Sequence, residues 1–410
     1  MKSRKAIALF LAGAMAAAAL TACGGGSNDG QTTASGGGEE TQAEASGGTL
    51  VVDFWTAPQQ VQYDFWEGKA EAFNATGTQV NGQTVEVHVQ QMPESPSSEA
   101  GIQNAIATGT APAVSENINR GFAATLAASD VVYDLSAEDW FNDVIEARQM
   151  GDTMESWAID GKQYVLPVYV NPMSWQWNMK ALEVFGYDEA PTTIAELQDI
   201  MSQWNDKADE LAAIGVTHSF YRPSLQRPDQ YWDRWYDFMM PYDAISQGKS
   251  IVDGTTLTMD KDAAVKAMEV LGLFGNTIQQ GELSSIWIED QPSVLVTINA
   301  PWEISLYRES NKVYGEDYVY GPALVENEGD TPYCFADSKG LTFYKTDNIS
   351  EDEHQGAVEF VKWVYNAENS AQTDLEWLNA TTMLPVRGDL NENETFASVM
   401  EEYPELSALA

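Results

Sequence analysis

The pattern that most constrains this chain is a regular alternation of strand-like and helix-like segments. Residues 49–55 are β-branched and aromatic, as in a buried strand, and residues 61–73 carry apolar side chains at helical spacing. Residues 84–90 alternate as a second strand, and residues 100–108 form a second helical pattern closed by a glycine. This order predicts an α/β fold with mostly parallel sheets and helices on both faces.

The second half of the chain carries the same signals without a linker. A capping-box pattern predicts a helix at residues 193–205, and an aspartate opens a helical pattern at about 260–280. Residues 293–298 return to a strand pattern and residues 351–365 to a helical one. A length of 410 residues suggests two or three domains. Because no low-complexity linker separates them, we expect domains between which the chain crosses several times.

The amino terminus has the pattern of a secretory signal. Three basic residues lie within the first five positions, and residues 6–20 are apolar and uncharged. This run is too short for a transmembrane helix, so we predict that residues 1–22 are a signal peptide.

The residues that follow predict a lipid anchor and a tether. Residues 20–23, Leu-Thr-Ala-Cys, are similar to a bacterial lipobox, so Cys23 is predicted to be lipidated and to hold the chain at the outer face of the cell membrane. An ordinary signal peptide with an incidental cysteine is the alternative. Residues 23–48 are rich in Gly, Ser, Thr, Glu and Gln, which predicts a flexible tether.

The charge of the chain excludes one class of partner. The sequence holds 62 Asp and Glu against 21 Lys and Arg, a net charge of -41, and loss of a signal peptide with three basic residues would give -44. Nucleic-acid binding requires Lys and Arg that displace counterions, so we expect no nucleic-acid partner. The same scarcity of basic residues argues against a phosphate-bearing ligand and against anionic membrane surfaces.

No pattern predicts catalytic, metal or cofactor chemistry. His88, His218 and His354 lie far apart and lack the spacing of metal ligands. The chain has neither a nucleophile elbow nor a dinucleotide-binding glycine motif after a strand. The 62 carboxylates still allow a glycosidase-type pair of acids, so a secreted glycan-processing enzyme remains an alternative hypothesis.

Tryptophan is enriched and clustered along the chain. Aromatic faces stack on the apolar faces of sugar rings, and polar side chains pair with sugar hydroxyls, so aromatic clusters beside polar residues favour a carbohydrate site. Core packing is the alternative for each ring. The clusters are Trp55 and Trp66; Trp175 and Trp177; Tyr231, Trp232, Trp235 and Tyr236; and the separate Trp287 and Trp302.

Several segments resemble motifs of the extracellular solute-binding proteins of bacterial ABC importers (family 1), the group that includes maltose-binding protein. Their order and spacing cover nearly all of residues 49–390. The segments are QNAIATGTAP at 103–112, DGKQYVLP at 160–167, WQWN at 175–178, PTTIAEL at 191–197, NAPWEI at 299–304 and MLPVR at 383–387.

The resemblance implies a two-lobe, periplasmic-binding-protein-like fold of type II with the ligand cleft between the lobes. The expected first lobe is 49–158 plus about 292–345, and the second is about 159–291 plus 346–410. The resemblance also implies a monomer without a cofactor that closes about a hinge and is recognised by the permease subunits of an ABC transporter. The leading hypothesis is therefore a lipid-anchored receptor for a sugar, with an oligosaccharide expected; a polyol or a peptide is the alternative ligand.

The resemblance also suggests ligand contacts. They lie after predicted strands and in the Asn-x-Pro-Trp and closing Pro-x-Arg motifs. Trp302 of the first motif is also expected to be partly structural. Arg387 of the second is expected to be either a ligand contact or a lobe anchor. Ala113 and Ala300 replace the Asp and Gly of the family pattern, which affects contacts rather than fold. Aromatic clustering adds Trp175 and a stacking platform around residue 232. The full set is Trp55, Glu116, Asn117, Asn119, Asn171, Trp175, Trp232, Asp233, Trp235, Trp302, Glu303 and Arg387.

Overall fold

The structure is a computed structural model that describes residues 47–95, 97–151, 153–221, 235–253, 256–279 and 293–409. The described residues form one compact unit. The predicted signal peptide, Cys23 and almost all of the predicted tether lie outside the described residues, as do Trp232 and Asp233. What was expected of them stays a prediction.

The strands of the described residues form two large sheets and one hairpin. They are β1 (Thr49–Thr56), β2 (Gln79–Val80), β3 (Gln83–Gln91), β4 (Val114–Ile118), β5 (Leu166–Pro172), β6 (Ser174–Asn178), β7 (His218–Tyr221), β8 (Val252–Asp253), β9 (Thr256–Leu257), β10 (Ile278–Gln279), β11 (Val294–Asn299), β12 (Tyr318–Gly321), β13 (Ala336–Phe343) and β14 (Leu384–Pro385).

Helices pack around these sheets. They are α1 (Gln60–Asn74), α2 (Ser98–Thr108), α3 (Arg120–Ala128), α4 (Asp139–Ala147), α5 (Met154–Trp157), α6 (Met179–Val184), α7 (Ile194–Gln203), α8 (Ala208–Ala213), α9 (Tyr236–Ser246), α10 (Lys261–Gly272), α11 (Ile304–Glu309), α12 (Glu351–Tyr365), α13 (Ser370–Thr381), α14 (Glu394–Glu402) and α15 (Pro404–Ser407). Short 3-10 turns cover Leu135–Ala137, Gly275–Thr277 and Pro301–Glu303. No helix in the described ranges is both long and apolar enough to cross a membrane.

Most predicted elements are present with small shifts at their ends. The capping box of α7 is confirmed, because Thr193 Oγ1 accepts the Glu196 N–H at 3.2 Å and the Glu196 carboxylate accepts the Thr193 N–H at 2.9 Å. The helix expected at about 260–280 ends earlier, at Gly272. Gly275 has a positive φ of 50°, which turns the chain out of the helix and towards β10.

The first sheet has the order β14-β5-β13-β4-β1-β3-β2. β1 pairs in parallel with β3 and β4, and its inward side chains Val52 and Phe54 are fully buried. α12 packs closely on β1, since a Cβ at Gly356 would lie only 2.8 Å from the Val52 side chain. We call this sheet and the helices packed on it, α1, α12 and α13 among them, the first lobe.

The second sheet has the order β10-β7-β11-β6-β12. Every residue of β6 and β11 is buried. Trp175, Trp177 and Phe220 belong to the apolar core against which α7 and α9 also place side chains. We call this sheet and its helices the second lobe.

Neither sheet is mostly parallel, which corrects the expectation. β13 lies antiparallel to both β4 and β5, and β6 lies antiparallel to both β11 and β12. The reason is topological: a strand that returns from the other lobe enters its sheet without the helical crossover that parallel neighbours require. Parallel pairs remain where strand and helix alternate, as between β1 and β3.

The expected lobe boundaries also differ from the sheets. β11 and β12, expected in the first lobe within 292–345, are strands of the second sheet. α12, expected in the second lobe within 346–410, packs on β1 of the first sheet. The sequence shows strands and helices but not which sheet a strand joins, because that choice depends on pairing between distant segments.

Within the described ranges, three segments connect the lobes. β5 of the first sheet leads through Met173 into β6 of the second, and residues 322–335 lead from β12 back to β13. The third is the carboxyl-terminal segment. β14 pairs with β5, whereas Phe396, Val399 and Leu406 of α14 and α15 join an apolar cluster with Tyr307 and Tyr318 of the second lobe.

Candidate functional site

β4 carries a buried carboxylate that ties it to the end of β1. Glu116 is fully buried, and its Oε2 accepts hydrogen bonds from Thr56 Oγ1 and from the Ala57 N–H, each at 2.9 Å. Its Oε1 accepts a bond from Gln62 Nε2 of α1 at 2.7 Å. Burial raises the pKa of Glu116 above its ordinary value, although the bonds from Ala57 and Thr56 lower it. The carboxylate therefore fixes the turn that follows the half-buried Trp55.

The next residue links β4 to β5. Asn117 has a positive φ of 69°, and its Oδ1 accepts a hydrogen bond from the Tyr169 hydroxyl at 3.0 Å. Tyr169 stacks on Trp377 of α13 with ring centroids 5.1 Å apart. Burial, followed by the charge of Glu116, raises the pKa of Tyr169 well above its ordinary value, so the phenol keeps its proton and donates.

β5 ends in an asparagine with a free acceptor. Asn171 is 1% exposed, and its Oδ1 has no hydrogen-bond partner among the described residues. Its Nδ2 faces Met383 Sδ at 3.4 Å, a weak bond. On β13, the Asn171 neighbour Asp337 forms an ion pair with Lys339 at 3.4 Å. We define the strand-end cluster as Trp55, Glu116, Asn117, Tyr169 and Asn171.

The second lobe meets the first beside this cluster. Thr382 Oγ1, at the end of α13, donates a hydrogen bond to the carbonyl oxygen of Pro301 at 2.6 Å. Trp302 is half-buried and packs against the apolar cores of both lobes. Thr382 is followed by Met383, whose sulfur contacts Asn171. The 3-10 turn Pro301–Glu303, which Thr382 bonds, therefore lies near Asn171 of the cluster.

A buried polar network supports this turn. Asn299 Nδ2 donates to Glu303 Oε2 at 2.7 Å and lies 2.9 Å from the Tyr307 hydroxyl. Gln176 Oε1 accepts from Tyr307 at 3.1 Å, and Tyr307 also bonds Glu303. Burial and the nearby Glu303 charge raise the pKa of Tyr307 well above its ordinary value. The neutral phenol thus bridges β6 and the start of α11.

One aromatic residue of the second lobe is open to solvent at a crossing segment. Trp235, just before α9, is 41% exposed and lies edge-on to Phe335 with ring centroids 5.5 Å apart. Phe335 precedes β13, and its carbonyl oxygen accepts the Met173 N–H at 2.8 Å. Trp235 is therefore placed near the β5–β6 connection, with an indole surface available for contact.

Comparison with known proteins identifies the family. The sequence model of the bacterial extracellular solute-binding protein family matches residues 69–407. This chain belongs to that family. No curated protein matches the chain in sequence.

Solved structures share the fold of this solute-binding protein. An uncharacterized protein from Listeria monocytogenes EGD-e is 34% identical, with 88% of this chain and 86% of that chain covered and a TM-score of 0.72. The cyclic alpha-maltosyl-1,6-maltose binding protein from Arthrobacter globiformis is 16% identical, with 88% and 86% covered and a TM-score of 0.66. UgpB from Mycobacterium tuberculosis, in complex with glycerophosphocholine, is 16% identical, with 88% and 85% covered and a TM-score of 0.68.

These findings confirm the predicted family and the predicted two-lobe, periplasmic-binding-protein-like α/β fold. The family is one of binding proteins rather than enzymes, and its extracellular character implies an extracytoplasmic location.

Two of the residues expected to contact ligand in this solute-binding protein have other surroundings. Trp175 is fully buried in the second core, where its ring lies 6.2 Å from Trp177, so it has no open face for stacking. Arg387 is buried and forms ion pairs with Asp374 at 3.0 Å and Asp389 at 2.8 Å. Of its two predicted roles, the ion pairs favour the lobe anchor.

Four more expected contacts have their side-chain acceptors engaged by the protein, Glu116 and Asn117 through the bonds described above. Asn119 Oδ1 caps α3 by accepting the Phe122 N–H at 2.8 Å, and its Nδ2 donates to Glu99. Glu303 accepts the bonds of the buried network. Of the expected contacts, Trp55, Asn171, Trp235 and Trp302 thus remain as the described residues with surface or bonding capacity to offer a ligand.

Three residues near the site were not singled out from the sequence. Gln62 lies in α1, Tyr169 in β5, and Lys339 in β13 from the other half of the chain. Tyr169 could have been found from the sequence, because it lies two residues before Asn171, which was expected to contact the ligand at the end of a strand. The sequence carries no signal for Gln62 or Lys339, because their approach depends on long-range sheet pairing.

Other sites lie apart from the cluster. Within the described residues, no group of three or more His, Cys, Asp and Glu side chains could hold a metal ion. A mainly apolar groove of about 740 Å³ lies between α9 and α10, and Val265 and Met268 are among its lining residues. It is formed by the outer helices of the second lobe and not by the strand-end cluster.

Proposed function

We propose that this solute-binding protein captures a neutral carbohydrate, an oligosaccharide in the first instance, in a cleft between its two lobes. The observation that carries the proposal is the strand-end cluster of the first sheet, which offers a free amide oxygen on Asn171 and the half-buried indole of Trp55. The turn that carries Trp302 is bonded to Thr382, the residue next to the Asn171 contact Met383. A sugar offers hydroxyl donors to such an oxygen and apolar ring faces to such indoles.

The charges beside the cluster favour a neutral ligand. Glu116 is buried and receives three hydrogen bonds from the protein. Lys339, whose positive charge lowers the pKa of this carboxylate, forms an ion pair with Asp337. A charged ligand would have to break these contacts or lose hydration without a new partner, which is costly.

Known ligands of structural neighbours are consistent with a sugar but include another class. The Arthrobacter protein binds a cyclic maltosyl-maltose, whereas the UgpB structure contains glycerophosphocholine. At 16% identity these neighbours share only the fold with this chain, so the ligand has to be established by measurement.

The finer parts of the function rest on the sequence. A signal peptide at 1–22, lipidation of Cys23 and a tether to residue 48 would hold the protein at the outer face of the cell membrane. There it would act as a monomer that closes by hinge motion and delivers its ligand to the permease of an ABC transporter.

A binding screen tests the proposal. The chain from residue 24 onwards is tested by thermal shift and tryptophan fluorescence against maltotriose, raffinose, xylotriose, a cyclic maltosyl oligosaccharide, sorbitol, a tripeptide and glycerophosphocholine. We expect an increase in Tm with one class of neutral glycan and no release of hydrolysis products. Binding of glycerophosphocholine, sorbitol or the tripeptide alone would overturn the carbohydrate assignment, and glycan turnover would overturn the assignment as a binding protein.

Delivery and anchoring are tested separately. A Cys23→Ser variant should be released from membranes of the expressing cells, because no thiol would remain at position 23 to accept lipid. Unchanged membrane retention of Cys23→Ser would contradict the lipid anchor. Deletion of the genes for the partner permease should abolish uptake of the ligand that the screen identifies.

A further inference from the structure

The carboxylate of Glu116 is surrounded by donors. Thr56 Oγ1, the Ala57 N–H and Gln62 Nε2 all point to it, at 2.7 to 2.9 Å. An ionised carboxylate accepts from all three, whereas a protonated carboxyl has to donate its own hydrogen and gives up an acceptor position. The arrangement is therefore matched to the ionised form.

The titratable groups that face this carboxylate come from three other elements. Tyr169 of β5 and Lys339 of β13 act on it, and Tyr365 of α12 feels its charge. Both tyrosines have pKa values raised by burial, so they are neutral at physiological pH. Lys339 is engaged with Asp337, so Glu116 depends chiefly on its three hydrogen bonds.

The helix that follows the turn held by Glu116 starts without a side-chain cap. α1 begins at Gln60, and its N-cap residue Gln59 makes no side-chain capping bond. The bond from Gln62 to Glu116 instead ties the first turn of α1 to β4. Thr56 and Ala57, which flank the end of β1, are tied to the same carboxylate.

We propose that Glu116 is a positioning residue rather than a ligand contact: it holds the β1–α1 turn, and with it the indole of Trp55, in the shape that receives ligand. The proposal rests on the proposed binding function. It replaces the direct contact expected from the sequence, because a fully buried carboxylate with three protein donors has no face left for a sugar hydroxyl.

The first test needs no ligand. Amide hydrogen exchange is measured by mass spectrometry on the mature chain and on its Glu116→Gln variant at pH 7. Glutamine keeps the shape but offers one acceptor oxygen instead of two and turns an N–H₂ towards donors. We expect exchange in peptides covering residues 54–62 to accelerate at least about tenfold, with unchanged exchange in the second lobe. Equal exchange in both proteins would overturn the proposal.

The second test uses the member of the glycan panel that binds. Affinity for that glycan should fall about tenfold in Glu116→Gln at pH 7. In the natural protein, affinity should decrease as the pH is lowered, because burial raises the pKa of Glu116 and its protonation loosens the turn. The affinity of the variant should be weak and independent of pH. An unchanged affinity and pH profile in the variant would overturn the proposal.

Matched variants keep the test decisive. Thr56→Val removes one donor without changing shape and should lower affinity by a smaller factor, about twofold to fivefold, in a chain that still folds. Glu71→Gln, on the exposed face of α1, should change neither exchange nor affinity. If no glycan of the panel binds but exchange at 54–62 responds as expected, the proposed ligand class fails while the holding of the turn by Glu116 is supported.

Discussion

Two buried asparagines of the β5–β6 segment differ in how their side chains are used. Asn178 caps α6 by accepting the Ala181 N–H at 3.2 Å and donates to the Val294 carbonyl at 3.2 Å. Asn171 has an unpartnered Oδ1 and only a sulfur contact for its Nδ2. An unpaired buried oxygen costs free energy, so its retention is explained if a ligand supplies the missing donor.

Replacement of the two asparagines should separate binding from stability. Asn171→Leu should weaken glycan binding at least about tenfold and leave the free energy of unfolding equal or higher. Asn178→Leu should leave affinity unchanged and lower stability by about 1–2 kcal/mol through loss of the cap. Isothermal titration and urea unfolding measure the two quantities. A variant of Asn171 with full affinity would exclude this side chain from the site.

A single buried acid should dominate one part of the pH dependence of stability. Burial raises the pKa of Asp243 on α9 to about 7. Because the folded-state value exceeds that of the unfolded chain, the group contributes stability below its ordinary pKa, and this contribution is lost as the pH rises through about 7.

Asp243→Asn should therefore raise the Tm at pH 8 by a few degrees, and the difference between variant and natural protein should disappear towards pH 4. Differential scanning fluorimetry across this range measures the effect. Asp206→Asn, at an exposed turn position, is the control and should show no such pH-dependent gain. A variant that is less stable than the natural protein at pH 8 would contradict the assigned cause.

At the scale of elements, a buried ionic network attaches α13 to β5 and to the segment after β14. Asp374 accepts two bonds from Arg148 and one from Arg387, all at 3.0 Å. Arg148 also donates to the carbonyl oxygens of Pro167 and Val168 in β5. Both guanidinium groups are almost completely buried, so each depends on its partners for compensation of its charge.

Asp374→Ala should lower the free energy of unfolding by about 3–5 kcal/mol because it leaves two buried arginines short of a carboxylate. Glu376→Ala on the same helix removes a partly exposed pair with Lys69 and should cost less than about 1 kcal/mol. Urea unfolding of both variants gives the comparison. An equally small loss of unfolding free energy in both variants would show that the buried network contributes little to the attachment of α13.

The elements themselves were largely predictable, whereas their assembly was not. Local signals such as the Thr193 capping box and the apolar spacing of α1 depend on neighbours within four residues, so the sequence carries them directly. The membership of β11 and α12 in one lobe or the other depends on partners more than a hundred residues away. The burial of a tryptophan depends on distant partners in the same way: Trp175 is a core residue, whereas Trp55 is half-buried.

At the scale of the whole molecule, the net charge of -41 means that the excess acidic side chains repel one another in the folded protein. Raising sodium chloride from 10 mM to 500 mM should increase the Tm by several degrees, since the Debye length falls from roughly 30 Å to below about 10 Å. Sucrose at equal osmolality controls for general solute effects. A Tm that does not change with salt would show that the acidic groups are too dispersed for repulsion to matter.

The two-lobe fold also sets what hinge motion has to accommodate. Each of the three connecting segments is fastened on both sides: β5 and β13 in the first sheet, β6 and β12 in the second, and the carboxyl-terminal segment by β14 and by α14. Bending is therefore confined to the few residues between these strands. Met173 lies in the shortest such stretch, between Pro172 and Ser174.

The carboxyl-terminal segment has a consequence for the order in which the chain becomes folded. β1, emerging first from the ribosome, finds its covering helix α12 only after some three hundred further residues, and the tyrosine cluster of the second lobe is closed by α14 and α15 at the very end. Contacts of such long sequence separation form slowly. We expect a growing chain of this kind to stay open until α12, α14 and α15 have been made, so that it can still be threaded through a secretion channel.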